Sequence, residues 1–252
     1  MKQIKNLNRG FTLAEVLITL GIIGVVAAIT IPTLIANING QRYRSQFKKT
    51  LSTLNQAGRM AQAQYDFDFG AVEVQCTNGA SDNPETDKTI CAILNGTLSG
   101  ITYYSNVSNI KDKNGEYPYD YHNYISGVVE GSLFSGFSYY GKAYQLSDGS
   151  IFVFDDSPAN SDAVNHGAPY PKCGIDSRWK CKGFIDVNGT SLPNKVVTCS
   201  NVDMGGDPYK KDDSCVVKND AQHMTDIYPV YFYGNTVEPA SSAAKYVLNS
   251  AK

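Results

Sequence analysis

The sequence predicts an α+β protein, in which a long N-terminal α-helix packs on a C-terminal antiparallel β-sheet. Residues 11–38 form an apolar run with one charged residue, and residues 43–65 carry apolar side chains at helical spacing. Short strand-like runs separated by turn dipeptides follow from about residue 142. A helix followed by a group of strands is the element order of an α+β fold.

The apolar run is long enough to span a membrane, since about 20 helical residues cross the hydrocarbon core. Three basic residues in the first nine positions supply a positive flank that should remain cytoplasmic. A secretory signal would carry a small-residue cut site after its apolar run, and no such site follows here. Cleavage after Gly10 would instead remove residues 1–10 as a leader and leave the helix on the mature protein.

Glu15 is the only charge in the apolar run, and a comparable charge at the centre of a membrane helix costs about 2.5–3.5 kcal/mol on insertion scales. Cleavage after Gly10 would expose a new amine at Phe11, one helical turn from Glu15. A buried charge is heavily penalised when it lacks a partner. We therefore expect Glu15 to neutralise the N-terminal amine of a neighbouring subunit and so to fix the register of assembly.

Pro32 predicts a weak point in the same helix. A proline in a helix interior removes a backbone hydrogen bond and costs about 3 kcal/mol in a soluble helix. Gly21 and Gly24 lie just upstream. We expect residues 24–32 to be the weak stretch, although membrane helices also tolerate such residues as a simple kink.

Residues 39–69 are predicted to form the amphipathic second half of this helix. A helix from Phe11 to about Phe69 would be about 85 Å long, which exceeds a compact domain. Its first half, residues 11–38, must therefore lie in lipid or in a filament, while its second half packs on a β-rich head of residues 70–252. The apolar positions recur every three or four residues at Tyr43, Phe47, Leu51, Leu54, Gly58, Ala61 and Tyr65.

The head is predicted to contain an antiparallel sheet. Residues 70–142 lack periodicity and indicate a long irregular connection. KAYQLSDGSIFVFDD predicts a hairpin at Asp148–Gly149, and KCKGFIDVNGTSLPN predicts a strand that ends at Asn188–Gly189. IYPVYFY predicts a further strand, in which Pro229 indicates an edge or a bulge. The tail ASSAAKYVLNS predicts a short C-terminal helix.

The cysteines predict disulfides in an oxidising compartment, because their number is even and none forms a CxxC motif. Six cysteines allow 15 connectivities. Pairing of sequence neighbours is the simplest, because each pair closes a short loop. All six lie in the head, at Cys76, Cys91, Cys173, Cys181, Cys199 and Cys215.

GFTLAEVLITLGIIGVVAAITIP resembles the N-terminal signal of type IV prepilins and type II secretion pseudopilins. The shared features are a short basic leader, Gly10 before the cut, Phe11 after it and Glu15 fifth in the mature chain. The resemblance implies a pilin fold, and cleavage and N-methylation of Phe11 by a prepilin peptidase. It also implies local unwinding of the helix around Pro32 in the filament.

The same resemblance implies where the protein resides and what it contacts. The subunit is expected to wait in the bacterial inner membrane as a single-pass protein, with the leader cytoplasmic and the head outside. An inner-membrane assembly platform would then extract it from membrane lipid into a filament with other pilin or pseudopilin subunits. The filament would be an extracellular pilus or a periplasmic pseudopilus.

The C-terminal segments DGSIFVF, IDVNG…LPN and DIYPVYFY resemble those of some minor pilins and pseudopilins. In that pattern the second and third segments are almost adjacent, whereas here residues 195–225 separate them, as an inserted loop that holds Cys199 and Cys215. Some relatives bind calcium in this region, which makes Asp186, Asn188 and Asp226 candidate ligands. Calcium takes 6–8 oxygen ligands and a turn explains the Asn–Gly pair, so we expect no cofactor.

The remaining features argue against other classes of function. A net charge of −2 and a pI of about 5.9 provide no basic patch for nucleic acid. Catalytic signatures such as a P-loop, HExxH or a nucleophile elbow do not occur, so we expect no enzyme. The leading interpretation is a structural subunit, in a minor or specialised role, of a pilus, a secretion pseudopilus or a competence pilus. The alternative is a membrane-anchored binding or adhesion protein that never polymerises.

Overall fold

The computed structural model describes residues 11–72, 74–116, 141–154, 181–205, 209–218, 220 and 223–250. Within these residues the chain forms three α-helices and one six-stranded sheet. The helices are α1 (Leu13–Tyr65), α2 (Ile90–Thr97) and α3 (Ser242–Asn249). The α+β fold predicted from the sequence is confirmed.

The sheet is an antiparallel meander, because each strand pairs with the strands that precede and follow it in the sequence. Asp148 and Gly149 lie in the turn between the strands Lys142–Gln145 and Ile151–Phe154, and Gly149 has a φ of 87°, as the predicted hairpin requires. The strands are β1 (Thr102–Tyr104), β2 (Lys142–Gln145), β3 (Ile151–Phe154), β4 (Cys181–Asp186), β5 (Ile227–Tyr233) and β6 (Thr236–Pro239).

Helix α1 is about 80 Å long, from its 53 residues and a rise of 1.5 Å per residue. It ends at Tyr65, four residues before the predicted end, because Asp66 adopts a left-handed conformation with a φ of 57°. Phe69 instead begins a 3-10 turn, Phe69–Ala71. The large apolar side chains between Phe11 and Ile38 are 42–88% exposed, so this half of the helix has no protein cover in the monomer.

The second half of α1 packs on one face of the sheet. The predicted stripe faces the head, with Phe47, Leu54 and Ala61 fully buried. Phe47 stacks on Tyr228 of β5 with ring centroids 4.3 Å apart. Aromatic stacking contributes about 0.5–1.5 kcal/mol beyond the burial of the ring surfaces, so this contact holds the helix on β5, an inner strand of the sheet.

Asn55 attaches the same helix to the edge of the sheet. Its Nδ2 donates to the Val237 carbonyl at 2.8 Å, and its Oδ1 accepts from the Val237 amide at 2.9 Å. Val237 lies in β6, the last strand of the sheet, and pairs with Phe232 on its inner side. One amide side chain therefore satisfies the donor and the acceptor that Val237 would otherwise turn outward.

Two glycines allow close backbone approaches in this arrangement. A Cβ at Gly58 of α1 would lie 2.9 Å from the Phe69 ring and 3.1 Å from the Asn235 carbonyl. A Cβ at Gly183 of β4 would lie 2.6 Å from the Val153 carbonyl in β3. The helix and the β5–β6 turn can therefore meet only because position 58 has no side chain.

Two sequence-based expectations are wrong. Residues 70–142 are not only an irregular connection, because α2 and β1 lie within them. Pro229 lies neither on an edge strand nor at a bulge, because β5 pairs with β4 and β6 in continuous register. The Pro229 carbonyl accepts from the Ala240 amide at 2.9 Å, so the Pro229 nitrogen also faces the β6 side of the strand. Ala240 is the first residue after the end of β6. The proline therefore removes only a terminal ladder bond.

We expect Asn55→Ala to lower the free energy of unfolding by about 1–3 kcal/mol, because it leaves both groups of the Val237 peptide without their partner. Urea unfolding of the full chain in detergent, followed by near-UV circular dichroism, measures this loss. Gln56→Ala is the matched control, since Gln56 is exposed and one residue away. Equal losses in the two variants would contradict the role assigned to Asn55.

Candidate assembly site

The N-terminus of α1 carries the predicted processing and assembly residues. Gly10 lies outside the described residues, and Phe11 is the first residue described, with 88% of its surface exposed. Thr12 is the N-cap of α1 in an extended conformation, with φ −78° and ψ 152°. The chain therefore enters the helix two residues after the predicted cut.

Thr12 and Glu15 form a capping box. The Glu15 amide donates to Thr12 Oγ1 at 3.2 Å, while the Thr12 amide and hydroxyl donate to Glu15 Oε2 at 2.8 and 2.9 Å. Such a box satisfies backbone donors that the first helical turn leaves without partners. Glu15 Oε1 accepts no hydrogen bond from the described part of the chain. The box thus holds the carboxylate at the helix N-terminus with one oxygen available.

The sequence reasoning missed Thr12. The sequence predicts that the Glu15 carboxylate pairs with the amine of a neighbouring subunit, whereas in the monomer this carboxylate already caps its own helix. The signal was present, because threonine followed three residues later by glutamate, just before an apolar run, is the pattern of a capping box. Thr12 is therefore a positioning residue for Glu15.

Helix α1 continues through Pro32 without interruption. Thr30 and Thr33 donate their hydroxyls to the carbonyls of Val26 and Thr30, both at 2.9 Å. Threonine side chains of this kind supply hydrogen bonds near a proline, which contributes none from its own nitrogen. The local unwinding expected in a filament concerns the assembled state and stays a prediction.

By length and composition α1 is a candidate membrane anchor. Its apolar segment lies near the N-terminus and none of it is buried within the protein. Monomeric soluble proteins rarely expose apolar patches larger than a few hundred Å². Lipid or other copies of the helix would cover this surface.

Two disulfides between sequence neighbours are formed in the head. Cys76–Cys91 and Cys199–Cys215 have Cα–Cα distances of 5.6 and 5.3 Å. Cys181 is also disulfide-bonded. Cys173, its predicted partner, lies outside the described residues.

Asp82 lies close to the first of these disulfides. Its carboxylate accepts from the Asn78 amide at 2.7 Å and from the Thr89 hydroxyl at 2.8 Å. Thr89 in turn caps α2 through the Ala92 amide. The Cys76 and Cys91 sulfurs are bonded to each other, so they offer no thiolate to a metal. Asp82 organises the loop that this disulfide closes.

The three calcium candidates lie at the end of β4 and the start of β5. Asp226 accepts from the Asn194 and Lys195 amides at 2.8 and 2.7 Å, and Asp186 accepts from the Asn188 amide at 3.2 Å. These bonds hold the loop. Asn188 Oδ1 is buried without a hydrogen-bond partner in the described structure. The three side chains supply only part of a calcium shell of 6–8 oxygens, and the expected absence of calcium stays a prediction.

Burial raises the pKa of Asp226 from 3.8 to about 6, although the Lys195 and Asn194 amides and the Asn188 side chain oppose this shift. The carboxyl therefore binds its proton more tightly in the folded chain than in the unfolded chain. Its contribution to stability is complete below pH 3.8 and is lost as the pH rises through 6.

We expect protonated Asp226 to stabilise the fold, so that its ionisation lowers the free energy of unfolding by about 2–3 kcal/mol between pH 4 and pH 7. Asp226→Asn should remove this component, because the amide does not titrate. Urea unfolding of the full chain in detergent at both pH values measures it, with exposed Asp213→Asn as the control. A pH dependence that Asp226→Asn leaves unchanged would show that the carboxyl does not carry this effect.

Comparison with known proteins gives one match, which falls on the assembly site. Residues 5–31 match the prokaryotic N-terminal methylation motif. No curated protein and no solved structure matches the chain. The matched segment contains Gly10, Phe11, Thr12 and Glu15, which are the proposed cut and the capping box. The chain thus carries the N-terminal methylation motif that is typical of type IV pilins and pseudopilins, and its long N-terminal helix and C-terminal sheet support that resemblance.

Proposed function

We propose that the chain is a structural subunit of a type IV pilus or a type II secretion pseudopilus. A prepilin peptidase cuts it after Gly10 and methylates Phe11, and it then polymerises through α1. The observation that carries this proposal is the exposed apolar half of α1, whose one charge is held at the helix N-terminus by Thr12. The role requires no cofactor.

The proposed path begins in the bacterial inner membrane. The apolar half of α1 spans the bilayer once, the basic leader stays in the cytoplasm and the disulfide-bonded head lies outside. The assembly platform then transfers the helix from lipid to a bundle of equivalent helices. In that bundle Glu15 Oε1 is available to the methylated amine of the neighbouring subunit, so that the box and the amine share one carboxylate.

We assign the chain to the minor or specialised subunits. Removal of residues 1–10 from the 252-residue chain leaves about 242 residues, more than a bare filament repeat needs. The connection between β4 and β5 covers residues 187–226 and contains the Cys199–Cys215 disulfide. A loop of this length that is constrained by a disulfide supports a role beyond filament packing.

The mature protein should begin at Phe11 and carry one added methyl group on its amine. Mass spectrometry of the N-terminal peptide from the native cell measures both changes. Co-expression with a prepilin peptidase whose active site is inactivated is the control, and should leave the leader in place. A native protein that retains residues 1–10 would refute the proposed processing.

Glu15→Ala should abolish filament incorporation while leaving the protein in the membrane, because the neighbouring amine then has no counter-charge in the helix bundle. Sheared filaments and membrane fractions are compared by immunoblotting. Glu85→Ala is the matched control, as Glu85 is exposed on the head. Normal filament incorporation of Glu15→Ala, or a wild-type protein found only in membranes, would favour an anchored protein that does not polymerise.

A further inference from the structure

The first cations after the apolar run form a compact group on α1, which we call the basic collar: Arg42, Arg44, Lys48 and Lys49. Beyond Glu15, α1 contains no acidic residue, so the charge of this stretch has one sign. Arg42, Lys48 and Lys49 are exposed, and Arg44 is half-buried.

The collar lies at the level expected for lipid headgroups. If the hydrocarbon ends at Ile38, Arg42 lies about 6 Å beyond it and Lys49 about 16 Å beyond it, at 1.5 Å per residue. The headgroup layer is about 5–7 Å thick on each side of a bilayer. Arg42 would therefore lie among the headgroups, and Lys49 about one Debye length above them.

The β4–β5 connection brings an apolar side chain to the same level. Asn188 Nδ2 donates to the Tyr43 hydroxyl and to the Leu192 carbonyl, both at 3.1 Å. Tyr43 lies between the two arginines of the collar in the sequence. Leu192 itself is 80% exposed. The exposed Lys195 follows three residues later.

Among the described residues, the exposed cations of the collar have one acidic partner, because Lys49 pairs with Asp148 at 3.3 Å. Lys48 donates to the Ser250 carbonyl, which is neutral. Arg44 is held by more than one partner, among them the Ser250 hydroxyl. Arg42 makes no hydrogen bond or ion pair with the described part of the chain.

We propose that the basic collar and residues 189–195 of the β4–β5 connection, which include Leu192, form a docking surface for anionic phospholipid headgroups of the outer leaflet. This inference rests on the proposed function only for the orientation of the membrane-stored subunit. Arginine and lysine bind the phosphate and the charged headgroup, while Leu192 enters the interface as an apolar contact. The base of the head is thus held on the membrane until the subunit is extracted, and extraction breaks these contacts.

The test uses the full chain, leader included, reconstituted in bilayers. Electron paramagnetic resonance of spin-labelled lipids measures the preference of the protein for phosphatidylglycerol over phosphatidylcholine. A cation near an anionic surface contributes about fivefold in affinity, so Arg42→Gln should lower the preference by up to about fivefold. Arg59→Gln is the matched control, because Arg59 is exposed on the same helix about 26 Å further along. Hydrogen exchange should also slow at residues 189–195 in bilayers that contain phosphatidylglycerol.

The outcomes separate this inference from the proposed function. No lipid preference in the wild-type chain, or the same preference in Arg42→Gln and Arg59→Gln, would overturn it. An Arg42→Gln variant with unchanged lipid preference and reduced filament yield would also overturn it, since the collar would then contact another subunit. A wild-type chain that prefers phosphatidylglycerol in this experiment but retains residues 1–10 in the native cell would leave the inference standing and refute the proposed processing. A chain that fails to insert into any bilayer would refute the shared orientation.

Discussion

One helix has to be stable in two different surroundings, and the rest of the molecule follows from this constraint. From Phe11 to Ile38 its side chains meet no other part of the described protein, whereas from Tyr43 onwards one face is buried on the sheet. The apolar half satisfies its own backbone hydrogen bonds as a helix, which is the condition for residence in lipid. The other half supplies the central element of a water-soluble core. The head therefore packs on the second half of α1 and leaves the first half uncovered.

The contacts between α1 and the head are made at successive positions along the helix, at Phe47, Asn55 and Gly58. The ring of Phe47 stacks on Tyr228 of the inner strand β5, and Asn55 bonds the peptide groups of Val237 in the edge strand β6. Gly58 then lets the β5–β6 turn approach the helix backbone. The helix is thus held to two adjacent strands, β5 and β6, and to the turn between them. This arrangement suits a subunit whose helix is moved between environments while its head remains folded.

Features with a strong local pattern were predictable from the sequence, and those set by distant partners were not. Helix α1, the β2–β3 hairpin and the strand before Asn188 follow from periodicity and turn chemistry. Pro229 was misjudged because its tolerance depends on where β6 ends, which no local pattern reveals. Helix α2 is only eight residues long and is capped by Thr89, a signal too short to stand out from its surroundings. The lone charge of Glu15 marks it in the sequence, whereas its bond to Thr12 depends on where the helix begins.

The two hydrogen bonds between Asn55 and Val237 affect how β6 can pair with strands of neighbouring chains. An open strand border can recruit a second strand from any nearby chain, and subunits held side by side at high local density would offer such borders to one another repeatedly. The carboxamide of Asn55 occupies the outward-facing peptide groups of Val237, so fusion of heads through β6 would first require these two bonds to break. The edge formed by β6 is thereby protected at Val237 against pairing with a strand of another chain.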